Sequence, residues 1–449
     1  MRHKTRTIIF GAFLAFFVAA GAYALMTAFG LAVDLPRLRI VKTGSLFLDV
    51  VPANADLLLN GVPQDPKRPL FGRGALLGRL TPGTYEVTLE APGHHPWQKT
   101  MTIRAGEVAK AWGVFLWLDP LPRETVAEKI RRFWPTAEGL VTLGARGTLA
   151  LGEVELRGNT VIAADPASSF LVTAEGNSRF IIDLKNPRAA LNLSELFQSL
   201  KERELGLRGT VPITTVLLHP FTPTKFIIAS ARAVYALDVR KVSLQKLLEA
   251  STTAAISVNR NEVLVADRDG TLASANLVLG TVSREPAFPS STVTRVASDR
   301  AGTTVFGLSE EGTLLLYRSA TSTTKLGADV TDFSLSSDET RIAMRTRKGD
   351  VTVLLLADTD ESGMQEAGTR IAVPAAAHAA ALPLTWFPGS PRYFFQVSEE
   401  GVLEVYETDV KEPQNHFTLA EHVADYAVQG ETLYVLHTDG TLEKINLLP

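Results

Sequence analysis

"TVFGLSEEGTLLLYR", residues 304–318, reads as a strand, a polar pair with glycine, and a second strand. Four other stretches share that plan: "GLVTLGARGTLAL" (139–151), "EVLVADRDGTLASANL" (262–277), "RYFFQVSEEGVLEVYE" (392–407) and "TLYVLHTDGTLEKINL" (432–447). Their glycines stand at 147, 270, 312, 401 and 440, spacings close to multiples of about 42 residues. Weaker copies at 170–184, 226–239 and 341–356 fill the gaps and bring the hairpins to eight. Several follow another strand and a turn, as at 214–224, 330–340 and 384–391. A unit of about 40 residues with three or four short strands is a propeller-blade signature. A lone small sheet leaves its faces bare, whereas sheets packed in a ring bury both. Residues 136–449 are therefore expected to form a β-propeller. The hairpin count favours eight blades. The alternative is seven, with residues 139–156 closing the ring on the C-terminal strands.

One helical stretch interrupts the pattern, "NLSELFQSLKERE" (192–204). Leu193, Leu196, Phe197 and Leu200 make an apolar stripe that Asn192 or Ser194 can cap. It reads as a decoration packed on the ring, with partner binding as the alternative.

The chain has 449 residues, room for two or three domains. Without residues 1–42 it keeps 39 basic and 47 acidic side chains. That acidic body argues against a nucleic-acid partner, which requires a basic face to displace counterions. There are no cysteines, hence no disulfides, thiolate metal sites or Cys nucleophile.

Residues 7–33, "TIIFGAFLAFFVAAGAYALMTAFGLAV", carry no charge. They are long enough to cross a bilayer of about 30 Å. We expect an uncleaved signal-anchor helix; the alternative is a cleaved signal peptide at Ala22-Tyr23-Ala24. Arg2, Lys4 and Arg6 before the run are balanced by Arg37, Arg39 and Lys42 after it, so the flanking charges tie. The expected arrangement has residues 1–6 as a cytoplasmic tail and the large domain outside the membrane.

Residues 43–118 read as a small β-sandwich. Leu46, Leu48 and Val50 alternate with Phe47 and Asp49, the chain bends at Pro52, and Leu57 and Leu59 continue the period of two. Asn60-Gly61 is a turn signal. Residues 62–79 are expected to be a loop. Tyr85, Val87 and Leu89 share one face of the next strand, and Met101 and Ile103 belong to its return. "KAWGVFLWLDP" reads as a final strand. Residues 119–135 read as a linker, with a short helix over 124–134.

The order Pro52-Ala53-Asn54-Ala55, Asn60-Gly61, Leu80-Thr81-Pro82-Gly83-Thr84-Tyr85 and Pro92-Gly93-His94 resembles the PEGA domain, a small β-domain of prokaryotic envelope proteins. The chain departs from that family's pattern at Ala53, Asn54 and His94. The resemblance implies an envelope-facing, non-catalytic module. "SLSSDETRIAMRTRKGDVTVLLL" resembles the blade repeats of WD40-like β-propellers, with Ser337 and Glu339 where that class has Pro and Gly. This second resemblance carries fold and no function.

No phosphate-binding glycine loop, HExxH or GxSxG is present. His94-His95 occupies a turn, where neighbouring side chains diverge and rarely reach one ion. Trp97, Trp112 and Trp117 read as core or interface aromatics, and His219 in "LLHPFTP" as a turn residue making a structural hydrogen bond. Asp267/Asp269, Glu310/Glu311 and Glu399/Glu400 read as solvated hairpin tips. No residue is assigned a catalytic, cofactor or metal role. The expectation is a single-pass membrane protein whose propeller binds an envelope protein or glycan. A propeller hydrolase or lyase with a site at the central channel, and a purely structural stalk, are the alternatives.

Overall fold

The computed structural model describes residues 3–34, 39–67, 74–250, 255–259, 261–288, 292–318, 322–360, 365–373 and 382–448. It begins with helix α1, His3–Ala28, followed by a hairpin of β1 (Leu31–Asp34) and β2 (Arg39–Lys42). Against the expected 7–33, the helix begins earlier, at His3, and ends earlier, at Ala28. Gly30 takes φ +67°, which glycine tolerates without steric cost, and its carbonyl accepts the Thr43 amide at 2.7 Å. Over Ile9–Ala28 the mean hydropathy is 2.1, and no residue of that stretch is buried by the rest of the chain.

Seven strands then form two small sheets. They are β3 (Gly44–Val51), β4 (Asp56–Leu59), β5 (Val62–Gln64), β6 (Ala75–Leu80), β7 (Gly83–Glu90), β8 (Trp97–Ile103) and β9 (Val108–Phe115). The orders are β6-β3-β9 and β5-β4-β7-β8. The alternation read from sequence is the burial pattern: Leu46, Leu48, Leu57, Leu59, Val87, Leu89, Met101 and Ile103 share one core. The stretch expected to be a loop over 62–79 contributes β5 and β6. β5 pairs with β4 across the Asn60-Gly61 turn, and β6 pairs with β3.

Eight four-stranded antiparallel sheets follow among the described residues. Sheets 1 to 7 span residues 130–156, 160–192, 213–249, 255–286, 293–327, 330–372 and 385–420 in turn. Sheet 8 takes three strands from residues 423–446 and its outermost strand, β10, from Arg123–Ala127. Every hairpin read from sequence forms the middle strand pair of one sheet. Apolar clusters join each sheet to the next around a complete circuit, including sheet 8 to sheet 1. The period of two explains how. On one strand Ile228 faces the sheet 2 side while Ile227 faces sheet 4, and on the next Val265 and Leu264 divide the same way. Middle strands buried on both faces, such as residues 263–266 of the strand Glu262–Ala266, therefore read as continuous apolar runs. The fold is a β-propeller.

The expected linker is a correction. Residues 124–134 form no helix; they lie in β10 and in the first strand of sheet 1, Ile130–Thr136. Thr125 pairs with Glu443, so the ring is closed by this segment and not by residues 139–156, which belong to sheet 1. Ladder pairing overrides the helix preference of a Glu-, Lys- and Arg-rich stretch.

The hairpin turns also stitch the ring. Gly312, Gly401 and Gly440 adopt φ near +80°. Their carbonyls accept the amides of Val330 (2.8 Å), Val423 (2.8 Å) and Ile130 (2.9 Å), each the first residue of the next sheet. Helix α2, Leu193–Leu205, packs over sheets 2 and 3 through Leu193, Phe197 and Leu200. The Asn192 side chain caps it, accepting the Glu195 amide at 3.2 Å.

Candidate functional site

An antiparallel four-stranded sheet has two ends. At one end lie the turns joining strands one to two and three to four. At the other lie the middle hairpin and the connection to the next sheet. In sheet 7 the first end comprises residues 387–392 and 408–415, and the small module sits on it. Trp117 and Phe115 pack edge-on against Phe387 and Tyr393. Beside them lies a buried cluster of four charges. Lys99 Nζ is 3.1 Å from Glu407, and Arg392 contacts Glu407 at 2.5 Å and Asp409 at 3.1 Å, all with side chains at most 1% exposed. Trp97 Nε1 donates to Glu407 at 3.0 Å, and Arg392 donates to the Trp112 carbonyl at 2.6 Å. The signs balance, and the carboxylates gain further donors, Asn415 to Glu407 and Gln365 to Asp409, the kind of support a buried ionic cluster needs. Burial, and then Glu407, push the Tyr393 hydroxyl far above its ordinary range; that hydroxyl accepts the Phe115 amide at 3.1 Å. Lys110 pairs with Asp360 in the third-to-fourth connection of sheet 6. The module thus covers one face of the ring at sheets 6 and 7.

The opposite face carries a cleft of about 1300 Å³ between sheets 3 and 4. One wall is the segment after α2. Gln198 Nε2 holds it by donating to the Val211 carbonyl at 2.7 Å, and the buried Lys201 ammonium donates to the Gly209 carbonyl. The floor includes Ser230 and Tyr235, and Arg232 and Arg268 stand at the two middle-hairpin tips. Lys246 pairs with Glu249 at 2.9 Å, and Arg284 donates to the Glu249 carbonyl at 2.7 Å. The Thr271 amide, 2.9 Å from Asp269, holds that carboxyl below its usual range. Arg208, Arg232 and Arg268 make no ion pair among the described residues. A guanidinium outside an ion pair is suited to bidentate pairing with a carboxylate from a partner.

Single-sequence reading missed this site. Its arginines come from three separated segments, and no local spacing links them. The residues it did single out are scattered. His94 Nδ1 lies 2.8 Å from the Pro92 carbonyl, whereas His95 stacks on Phe417 at 5.0 Å. Trp97 and Trp117 are fully buried; Trp112 is half exposed beside Phe47. His219 Nδ1 accepts the amides of Phe221 (3.1 Å) and Thr222 (3.0 Å), and burial lowers its basicity. Asp269, Glu310, Glu311, Glu399 and Glu400 are exposed at hairpin tips. His378 lies outside the described residues. No cluster of three or more His, Asp or Glu able to hold a metal occurs among the described residues.

The family model described as the PEGA domain matches residues 71–115, which hold β6 to β9. The small module carries a PEGA domain. β3, β4 and β5 complete the sheets of that PEGA module outside the matched span. No curated protein matches the chain at a significant level. Similar solved structures include BamB from Moraxella catarrhalis, at 12% identity and TM-score 0.45, covering 73% of this chain and 98% of that one. Kluyveromyces lactis Hsv2 is similar at 10% identity and TM-score 0.45, covering 66% and 100%. The Cps50 (Swd1) β-propeller domain is similar at 12% identity and TM-score 0.39, covering 62% and 97%. The propeller assignment itself rests on the sheet topology and the circuit of clusters described above.

Proposed function

We propose that this chain is a membrane-anchored binding or scaffold protein that presents one propeller face to a partner outside the membrane. The observation that carries this reading is the opposition of the two faces. The PEGA module, which leads back to the apolar helix, occupies one face, and the arginine cleft opens on the other. Partners tethered to the same bilayer or lying beyond it then meet the cleft first. The apolar stretch Ile9–Ala28 and the PEGA match support placement at an envelope membrane. The cleft's Arg208, Arg232 and Arg268 guanidiniums, in no ion pair among the described residues, favour an anionic partner, an acidic protein segment before an acidic glycan. Sugar recognition draws on exposed aromatic rings, and Tyr235, at 3% exposure, offers none. Arg and apolar side chains together are the usual composition of a protein-binding patch.

The test is in-cell photocrosslinking from a benzophenone amino acid placed at Arg232, with Arg188 on the opposite face as control. We expect a discrete protein adduct from position 232 that disappears when Arg208→Glu and Arg268→Glu are added. Adducts from position 188 alone would contradict the assignment of the binding face.

A further inference from the structure

Beyond Ile40, the three most exposed large apolar side chains among the described residues are Val278, Leu279 and Phe221, at 75%, 74% and 63%. All three lie in turns on the module's side of the ring, in the neighbouring sheets 3 and 4. Each turn is pinned by a side chain. The Asn276 carboxamide oxygen accepts the amides of Val278 (2.9 Å) and Leu279 (2.8 Å), and the Gly280 amide donates to the Asn276 carbonyl at 2.9 Å. His219 Nδ1 does the same for Phe221 and Thr222. In the third turn Asp238 Oδ1 accepts the amides of Arg240 (3.0 Å) and Lys241 (3.1 Å), displaying two cations beside the exposed Val242. Such turns hold apolar side chains in water at a standing cost that burial elsewhere would remove.

We propose that these turns form a second membrane contact, with Val278, Leu279 and Phe221 entering the headgroup region and Arg240 and Lys241 meeting anionic lipid. Three observations select a bilayer as the occupant. The turns share a face with the module that is continuous with the apolar helix. Sheet 3 lies four sheets from sheet 7 either way round the circuit, so the tips and the module support opposite edges of one face. Apolar tips beside a basic pair are the composition of interfacial membrane binding. The inference rests on the membrane-anchor reading above.

The absence of cysteine makes the test direct. The full chain, carrying Leu279→Cys labelled with an environment-sensitive nitrobenzoxadiazole dye, is placed in phosphatidylglycerol-containing nanodiscs; Glu310→Cys on the opposite face is the control. Lipids bearing doxyl quenchers are expected to remove about half of the emission at 279 and little at 310. Arg240→Gln with Lys241→Gln, or high salt, is expected to return the 279 dye to quenching by aqueous iodide. If the chain co-elutes with the discs but the 279 dye behaves like the 310 dye, the contact is overturned and the anchor stands. If the chain fails to co-elute, the anchor reading falls and this inference with it.

Discussion

At the scale of single residues, the ring depends on glycines whose backbone no other residue matches. A Cβ on Gly312 would sit 3.0 Å from the Val330 carbonyl oxygen and 3.2 Å from Asp329 Cα, at φ +84°. Gly176 has a similar positive φ, but nothing lies within 4 Å of its Cβ position. Gly312→Ala is therefore expected to cost about 1–3 kcal/mol, and Gly176→Ala about 1 kcal/mol. Denaturant midpoints of the two variants check this; equal midpoints would remove the stitch from the account. His219 gives a pH dependence. Burial, with Lys225 adding to it, lowers its folded pKa below the ordinary value of 6.5, so the unfolded chain takes up a proton first. Its contribution to stability is full above about pH 6.5 and is lost as pH falls from there toward the folded pKa. Faster hydrogen exchange of the Phe221 and Thr222 amides at pH 5 than at pH 7, after correction for intrinsic rates, is the expected sign; unchanged protection would contradict it. The hairpin glycines were legible because a tight turn's need for positive φ is local. Arg208, Arg232 and Arg268 were not, because only the packing of sheets 3 and 4 brings them together.

At the scale of elements, the decisive contact joins β8 to sheet 7. Lys99 occupies a position where the strand's alternation points inward, and its partners lie some 300 residues away in sequence. Nothing local announces them. Lys99→Met leaves two buried carboxylates facing one guanidinium. It is expected to cost about 3–5 kcal/mol, whereas Lys99→Met combined with Glu407→Gln loses less than the two single changes together. Chemical unfolding of the four proteins measures the coupling. A single Lys99→Met within about 1 kcal/mol of the parent would mean the cluster does not hold the module. The closing strand was illegible for a related reason. "RETVA" lies at the outer edge of sheet 8 with little burial, so it shows neither the alternation nor the apolar run of an inner strand. Its Arg123 finds Glu443 at 3.1 Å and the Leu419 carbonyl at 2.6 Å only when the ring closes.

At the scale of the molecule, the repeat announced a propeller, because eight similar hairpins have no core unless they pack on one another. The mounting of that propeller did not show in the sequence. The module reads as a stalk when taken alone, since its own strands alternate well enough to fold. Its docking on the ring gives the two faces different surroundings, and the account of function rests on that asymmetry together with the apolar N-terminal helix. The most direct test of the central claim is topology. A single Glu310→Cys in this cysteine-free chain is exposed to a membrane-impermeant maleimide in intact cells whose outer layers admit the reagent, and then in lysed cells. The account predicts full labelling before lysis. Labelling only after lysis would place the arginine cleft on the cytoplasmic side and contradict an outward-facing binding surface.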